Sequence, residues 1–388
     1  MLRKLRLAYF AHSLRSDWNN GNAHFLRGLM RALGAMGHEV VVFEPRRGWS
    51  AENLMSEPCG QNSLQQFAEV YPELEISEYE PSTITDDTSL REALAGFDIV
   101  VVHEWNAPEL AHALLAMRLK SGYRMLFHDT HHRASSSPEQ IQLFGVDQFD
   151  GVVAFGEVLR NIYREQFGMM RAWTLHEAAD TTVFRPFKKP AELQFGAPIE
   201  ELSKESQEQR QDVVWIGNWG DNERSEEIRE FLLRPASAMR DRRFTIYGVR
   251  YPEEAQKELC AAKVRYGGYL ANLNAPSVYA ESRLTVHVPR RQYAREMVGI
   301  PTIRVFEALA GGIPLVSAPW NDVEGLFRKG DMVFATNCEE MRRTMVRLLE
   351  RPEEAEAQAA RGLETVLARH TCAHRAEELT AICEEVLG

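Results

Sequence analysis

The chain is poor in several features that would assign it quickly. It has only five cysteines in 388 residues, at positions 59, 260, 338, 372 and 383. The number is odd and no pair has C-x-x-C spacing, so neither a disulfide framework nor a thiolate zinc or redox site is expected. Free thiols of this kind fit a reducing, cytoplasmic setting. No apolar run reaches the roughly 18 residues of a membrane-spanning helix. The start, MLRKLRLAYFAHS, is basic and then apolar, but Arg6 and His12 break it and no cleavage site follows; it reads as a first strand, not a leader. An excess of basic residues is also lacking. Lys+Arg is 45 against 56 Asp+Glu, a net charge of −11, which speaks against a general nucleic-acid binder. There is no internal repeat or low-complexity tract.

What is present is alternation. LRLAYFA (5–11) reads as a buried strand, SDWNNGNA as a loop, HFLRGLMRALGAMGHE as a helix stopped near Gly37, and VVVFEP (40–45) as a second strand. That is a βαβ unit and implies a parallel sheet. FDIVVVHEW, YRMLFHDTHH, DGVVAFGE and RAWTLHEAAD continue the series, giving about six strands in the first 180 residues, with 51–95 the least regular part. Residues 188–211 turn polar and charged. A second series then runs through VVWIGNW, FTIYG, VRYGG, LTVHVP, IPLVSAP and MVFAT, and a helical tail follows. The fold class expected is α/β, with two doubly wound, Rossmann-like domains. The boundaries are 1–180, a hinge and polar linker at 181–211, 212–370, and a last helix at 371–388 packing back on the first domain. In such sheets, ligands bind beyond the carboxyl ends of the strands.

Two groups of polar residues stand at such ends. In the second half, Arg290, Arg291, Arg295 and Arg304 crowd a strand–loop–helix segment and face one acid, Glu296. Pro301 suits the first turn of the helix, whose unpaired amides at Thr302 and Ile303 would favour an anion. Arginine adds a fork matched to phosphate. Glu307, three residues after Arg304, could take both hydroxyls of a ribose. In the first half, His103, Glu104 and Trp105 end one strand, and His128, Asp129, His131 and His132 end another. Any of the carboxylates or imidazoles could take a hydroxyl proton. They are also metal-ligand types, but neighbours on a strand point apart. Trp105 is the better candidate for stacking on a ligand; Trp215 and Trp219 read as packing.

The ordered segments NGNAHFLRGLMRALGAMGHEVVVFEP, HEAADTTVFRPF, VVWIGN, FTIYGVRYPEEAQKEL, VRYGGYLANLNAPSVYAESRLTVHVP and IRVFEALAGGIPLVSAP resemble GT-B glycosyltransferases. The likeness is to the retaining nucleotide-sugar class and, within it, to the spore-maturation-protein-like group. It implies two domains facing across a cleft, a nucleotide diphosphate sugar as donor, an unknown acceptor, and neither cofactor nor metal. It places Glu307 on the donor ribose, Thr302 and Ile303 on the diphosphate, and Arg224 on phosphate. Gly217 and Asn218 form the turn beside it, Tyr251, Gly268 and Tyr269 lie near the base, and Gly21 sits in the facing loop of the first domain. His128 is implied to reach the donor sugar and His103 to line the acceptor side. The chain departs from the pattern at one point: where a first glutamate precedes Glu307 in the family, Gly299 stands here. An epimerase on the same scaffold and a non-catalytic sugar-nucleotide binder are the alternatives. A phosphorylase would need a lysine for pyridoxal phosphate, which the motifs do not offer.

Overall fold

The computed structural model describes residues 3–86, 88–187 and 211–388. Most of the sequence-marked linker, 188–210, lies outside the described residues. The chain divides into two units. Unit 1 is Met1–Glu177 with Cys372–Gly388, and unit 2 is Ala178–Thr371.

Unit 1 is built on seven parallel strands: β1 (Arg6–Phe10), β2 (Glu39–Pro45), β3 (Glu75–Tyr79), β4 (Ile99–His103), β5 (Arg124–Asp129), β6 (Gly151–Ala154) and β7 (Ala172–Thr174). Their order is β3-β2-β1-β4-β5-β6-β7. The central strands are near-continuous apolar runs because helices cover both faces; IVVVH of β4 is buried throughout. The edge strand β3, EISEY, has no such run and is absent from the sequence-based expectation of about six strands. Register is set by pairs such as Leu7↔Val40 and Leu7↔Ile99 on either side of β1.

Helix α1 (Ala23–Ala35) follows β1 and buries Phe25, Leu26, Leu29, Met30 and Leu33. Gly37, at φ +92°, takes the left-handed turn that ends it. The final helix, Cys372–Leu387, packs on α1 within unit 1. His38 ties it down. Its Nδ1 accepts from the Leu5 amide at 3.2 Å, which leaves Nε2–H for the Thr380 hydroxyl at 3.1 Å.

Unit 2 repeats the plan with six parallel strands: β8 (Gln211–Ile216), β9 (Phe244–Tyr247), β10 (Val264–Tyr266), β11 (Ser282–His287), β12 (Leu315–Ser317) and β13 (Val333–Phe334). Their order is β10-β9-β8-β11-β12-β13. In each sheet the chain reverses direction at one place, between β1 and β4 and between β8 and β11. In sheets of this kind ligands bind beyond the carboxyl ends of the strands at such a switch point. His12, His103 and Glu104 follow or end the first pair of strands; Gly217, His287 and Arg290 do so for the second.

Candidate functional site

In unit 2 the loop after β8 is shaped for close approach. A Cβ on Gly217 would lie 2.8 Å from the Trp215 ring, and one on Gly248 would lie 1.9 Å from the Gly217 carbonyl oxygen. Neither position admits a side chain. Arg224 folds back over this turn. It donates to the Asn218 carbonyl at 2.6 Å and to the Asn218 side chain, and its guanidinium lies 5.1 Å from the Trp215 ring centre. Its buried Nε has no hydrogen-bond partner. Burial, with Arg290 and Arg304 close by, lowers its pKa to about 9. Three cations held near one another, one of them with an unmet donor, make a site that an anion stabilises.

The helix Ile303–Ala310 opens at the same edge. Its N-cap, Thr302, leaves the first amides uncapped by its own side chain and instead meets His287 Nε2 at 3.1 Å. His287 Nδ1 meets Ser317 Oγ at 2.8 Å, and burial pushes the imidazole pKa down to about 3. Because it stays neutral, it orients Thr302 without adding charge. Glu307 is 0% exposed, and Arg304 reaches it from one turn earlier.

Other sequence-selected residues fall differently. Arg290 and Arg291 were read against Glu296 alone, but Glu223 pairs with Arg290, and Glu226 and Glu227 pair with Arg291. Arg291 is thereby spent on a neighbouring helix. Tyr251 is buried in the core with Trp219 and Tyr266, and its hydroxyl serves the Gly217 carbonyl at 2.9 Å. It supports the turn rather than offering a free ring. Gly268 and Tyr269 are half-buried after β10, the glycine at φ +72°.

At Gly299 (φ +100°) an added Cβ would lie 2.9 Å from Glu324 Oε1 and 2.9 Å from Val323. A carboxylate therefore does stand beside Gly299, supplied from the loop after β12. Nothing in the sequence links the two positions, which lie on different elements.

In unit 1 the loop between β1 and α1 is organised by Arg27, only 1% exposed. It donates to the Leu14 carbonyl at 2.7 Å, the Arg15 carbonyl at 2.9 Å and the Asp17 carboxylate at 3.1 Å, under the Phe67 ring. Gly21 sits half-buried in the part of the loop this brace fixes.

The histidine-rich ends of β4 and β5 do come together. The His103 and His128 rings are 5.6 Å apart, and His12, from the end of β1, lies 6.4 Å from His103. Sequence reasoning passed over His12, an isolated histidine after a strand. Tyr9 Oη meets His128 Nδ1 at 2.5 Å, and His103 Nε2 meets Thr130 Oγ1 at 3.0 Å. Three ring nitrogens in this group, His12 Nδ1, His103 Nδ1 and His128 Nε2, are buried without a partner.

The two carboxylates, by contrast, are occupied. Asp129 accepts from Tyr163 at 2.6 Å and from the His131 amide at 2.9 Å. Glu104 accepts from Thr130 at 3.2 Å and pairs with Arg133. Both carboxylates are engaged by neighbouring side chains, which differs from the expectation that each faces a ligand directly. Trp105 is 44% exposed at the rim, with the Arg133 guanidinium 4.6 Å from its ring centre and His131 at 4.9 Å. Among the described residues, no group of three or more His, Cys, Asp or Glu side chains is arranged to hold a metal.

Burial sets the charges of this cluster. It pushes His12 to about 4, His128 to about 3 and His103 well below the ordinary imidazole value, so all three are neutral at pH 7. It raises Glu104 to about 8 and Asp129 to about 6. The imidazole contributions are full above pH 6.5 and fade as pH falls toward the folded values. The carboxyl contributions run oppositely, growing as pH falls below those raised values. Between pH 6.5 and 4.5 these three imidazoles, joined by the buried His287, outweigh the two carboxyls, so stability falls as pH falls. Thermal melts across pH 4.5–8.5 are expected to peak near pH 6.5, and a Tm still rising below pH 5.5 would contradict these assignments.

Residues 19–182 match the family model described as Glycosyltransferase Family 4, and residues 224–381 match the one described as Glycosyl transferase-like. The two matched segments do not overlap, one falling in each half of the chain. No curated protein sequence matches the chain. Among solved structures, Anabaena HepE in complex with UDP and glucose is 12% identical with a TM-score of 0.67, covering 97% of this chain and 98% of that one. A glycosyltransferase from Rickettsia africae is 12% identical with a TM-score of 0.65, covering 99% of each chain. Sucrose-phosphate synthase from Thermosynechococcus elongatus is 12% identical with a TM-score of 0.64, covering 98% and 99%. At this identity the likeness establishes the fold, which is GT-B: two Rossmann-like parallel-sheet domains. Among the described residues, no helix is long and apolar enough to cross a membrane.

Proposed function

We propose that the protein transfers a glycosyl group from a nucleoside diphosphate sugar to an acceptor hydroxyl, releasing the nucleoside diphosphate. The observation that carries this reading is the Arg224 site of unit 2. A half-buried guanidinium whose buried Nε has no partner stands beside two more arginines, in a domain that matches a glycosyltransferase model. In this reading Arg224, Arg290 and the amides at Thr302 and Ile303 take the diphosphate and stabilise the charge it gains as the glycosidic bond breaks. Glu307 accepts from the ribose. Glu324 supplies, from another loop, the acid that Gly299 lacks, next to the donor sugar. In unit 1, the exposed Trp105 ring is a stacking face for a sugar.

Thermal shift and calorimetry with UDP, GDP and dTDP test this. At about 100 times Kd, a binding nucleotide stabilises the folded state by about 2.7 kcal/mol. Glu307→Gln is expected to weaken the nucleoside diphosphate about tenfold through one lost charged hydrogen bond, yet leave pyrophosphate unchanged. Glu324→Ala is expected to leave UDP unchanged and weaken only the intact nucleotide sugar. Pyrophosphate falling in step with UDP on Glu307→Gln would remove the ribose role. No stabilisation by any of the three nucleotides would remove the reading. Diphosphate release that depends on an added acceptor separates transfer from epimerisation.

A further inference from the structure

The hydroxyl of Thr130 joins three groups. Asn22 Nδ2 donates to it at 2.7 Å, Glu104 Oε1 lies at 3.2 Å and His103 Nε2 at 3.0 Å. A hydroxyl has one proton to give and two lone pairs to receive with. One lone pair is used by Asn22, so the proton and the other lone pair are shared between Glu104 and His103. If Glu104 is ionised it can only accept. Thr130 then donates to it and receives Nε2–H from His103, whose Nδ1 is left as a bare lone pair. If Glu104 is protonated, its Oε2 stays an acceptor toward Arg133, so the proton sits on Oε1. Thr130 then receives from Glu104 and donates to His103 Nε2, and Nδ1 must carry the ring proton. The state of the carboxyl thus dictates which face His103 presents.

We propose that Glu104, Thr130 and His103 form a proton relay in which Nδ1 of His103 takes the proton of a bound alcohol hydroxyl and Glu104 stores it. Atoms balance in one concerted shift. The O–H proton passes to Nδ1, Nε2–H passes to Thr130 Oγ1, and the Thr130 proton passes to Glu104 Oε1. The alcohol becomes an alkoxide-like nucleophile, the carboxylate becomes a carboxylic acid, and the imidazole changes tautomer without becoming charged.

Three observations favour a relay over a simple imidazole base. His103 Nδ1 is a buried nitrogen without a partner, flanked by two more on His12 and His128. The ring is 0% exposed, and burial holds its pKa well below the ordinary value, so it is a poor place to keep a proton. The carboxyl at the far end is pushed well above the ordinary carboxylate value by burial and by Asp129, against the pull of Arg133 and Thr130, toward the range where a base works near neutral pH. Tyr9 on β1 and Tyr163 on the helix Glu157–Glu165 also face Glu104 and remain neutral, their pKa values raised by burial. Thr130 and Glu104 are therefore positioning residues that act through His103. That the alcohol is a glycosyl acceptor rests on the function proposed above; the relay itself does not.

The test is ¹⁵N NMR of histidine-labelled full-length protein from pH 6 to 10, with His103 assigned by its loss in His103→Gln. The expected result is a neutral ring throughout. Nδ1 moves from the protonated to the unprotonated position as pH rises, in step with the Glu104 carboxyl followed by ¹³C. Thr130→Ser keeps the switch. Thr130→Val, close in shape, abolishes it while UDP still stabilises the protein. An imidazolium at His103, a tautomer that ignores the Glu104 titration, or a switch that survives in Thr130→Val overturns the relay. A switch that behaves as expected in a protein that binds no nucleoside diphosphate overturns the transferase reading and leaves the relay standing.

Discussion

Arg224→Met is expected to weaken nucleoside diphosphate binding by roughly 30- to 1000-fold, about 2–4 kcal/mol, while leaving the fold intact. Methionine fills much of the same volume over Trp215, so packing beneath the Gly217 turn survives. What goes is a half-buried cation whose Nε has no partner. Removing it also relieves the repulsion that Arg290 and Arg304 exert on it. The lost bonds to Asn218 offset that relief, so the free protein is expected to change little in stability while the complex suffers. Calorimetry with UDP on wild type and variant reads the effect. A loss below about threefold, less than one ordinary hydrogen bond, would mean that Arg224 faces its own loop and not a ligand.

Arg27→Met is expected to have the largest effect on stability, about 3–5 kcal/mol, the usual cost of breaking one side of a buried ion pair. For a domain of this size that is roughly 10 °C or more in Tm. Two carbonyls and the Asp17 carboxylate lose the same donor at once, and water has no easy access to replace it. The loop from Leu14 to Asn22 is the part that loosens, so protease cleavage there should accelerate before global unfolding. The measurement is a thermal melt paired with limited proteolysis. A variant that melts within 2–3 °C of wild type, where a surface ion pair would put it, would mean the brace is not what holds the loop.

How far the sequence reaches can be judged on particular residues. The strands around each crevice were legible because parallel central strands are apolar on both faces, as β4 and β8 show. The edge strand β3 was not, because half its residues face solvent and its pattern mimics a loop. Glu307 and Arg304 could be placed together by helical spacing alone. Partners drawn from other elements could not be foreseen: Glu223 for Arg290, Glu324 beside Gly299, Thr130 between His103 and Glu104. Those pairings depend on where loops come to rest, which no local period encodes. Burial was equally hidden. Arg27 is of a residue type that is seldom fully buried, yet it is 1% exposed, and Tyr251, placed near the base by resemblance, lies in the core. Each is committed to its own scaffold.

The proposed transfer requires unit 2 to grip a diphosphate. A crystal structure of the protein grown with UDP tests this most directly. Expected are phosphate oxygens within hydrogen-bond distance of the Arg224 guanidinium and of the amides at Thr302 and Ile303, with the ribose hydroxyls on Glu307. UDP bound elsewhere, with Arg224 still turned onto Asn218 and the helix start untouched, would contradict the account.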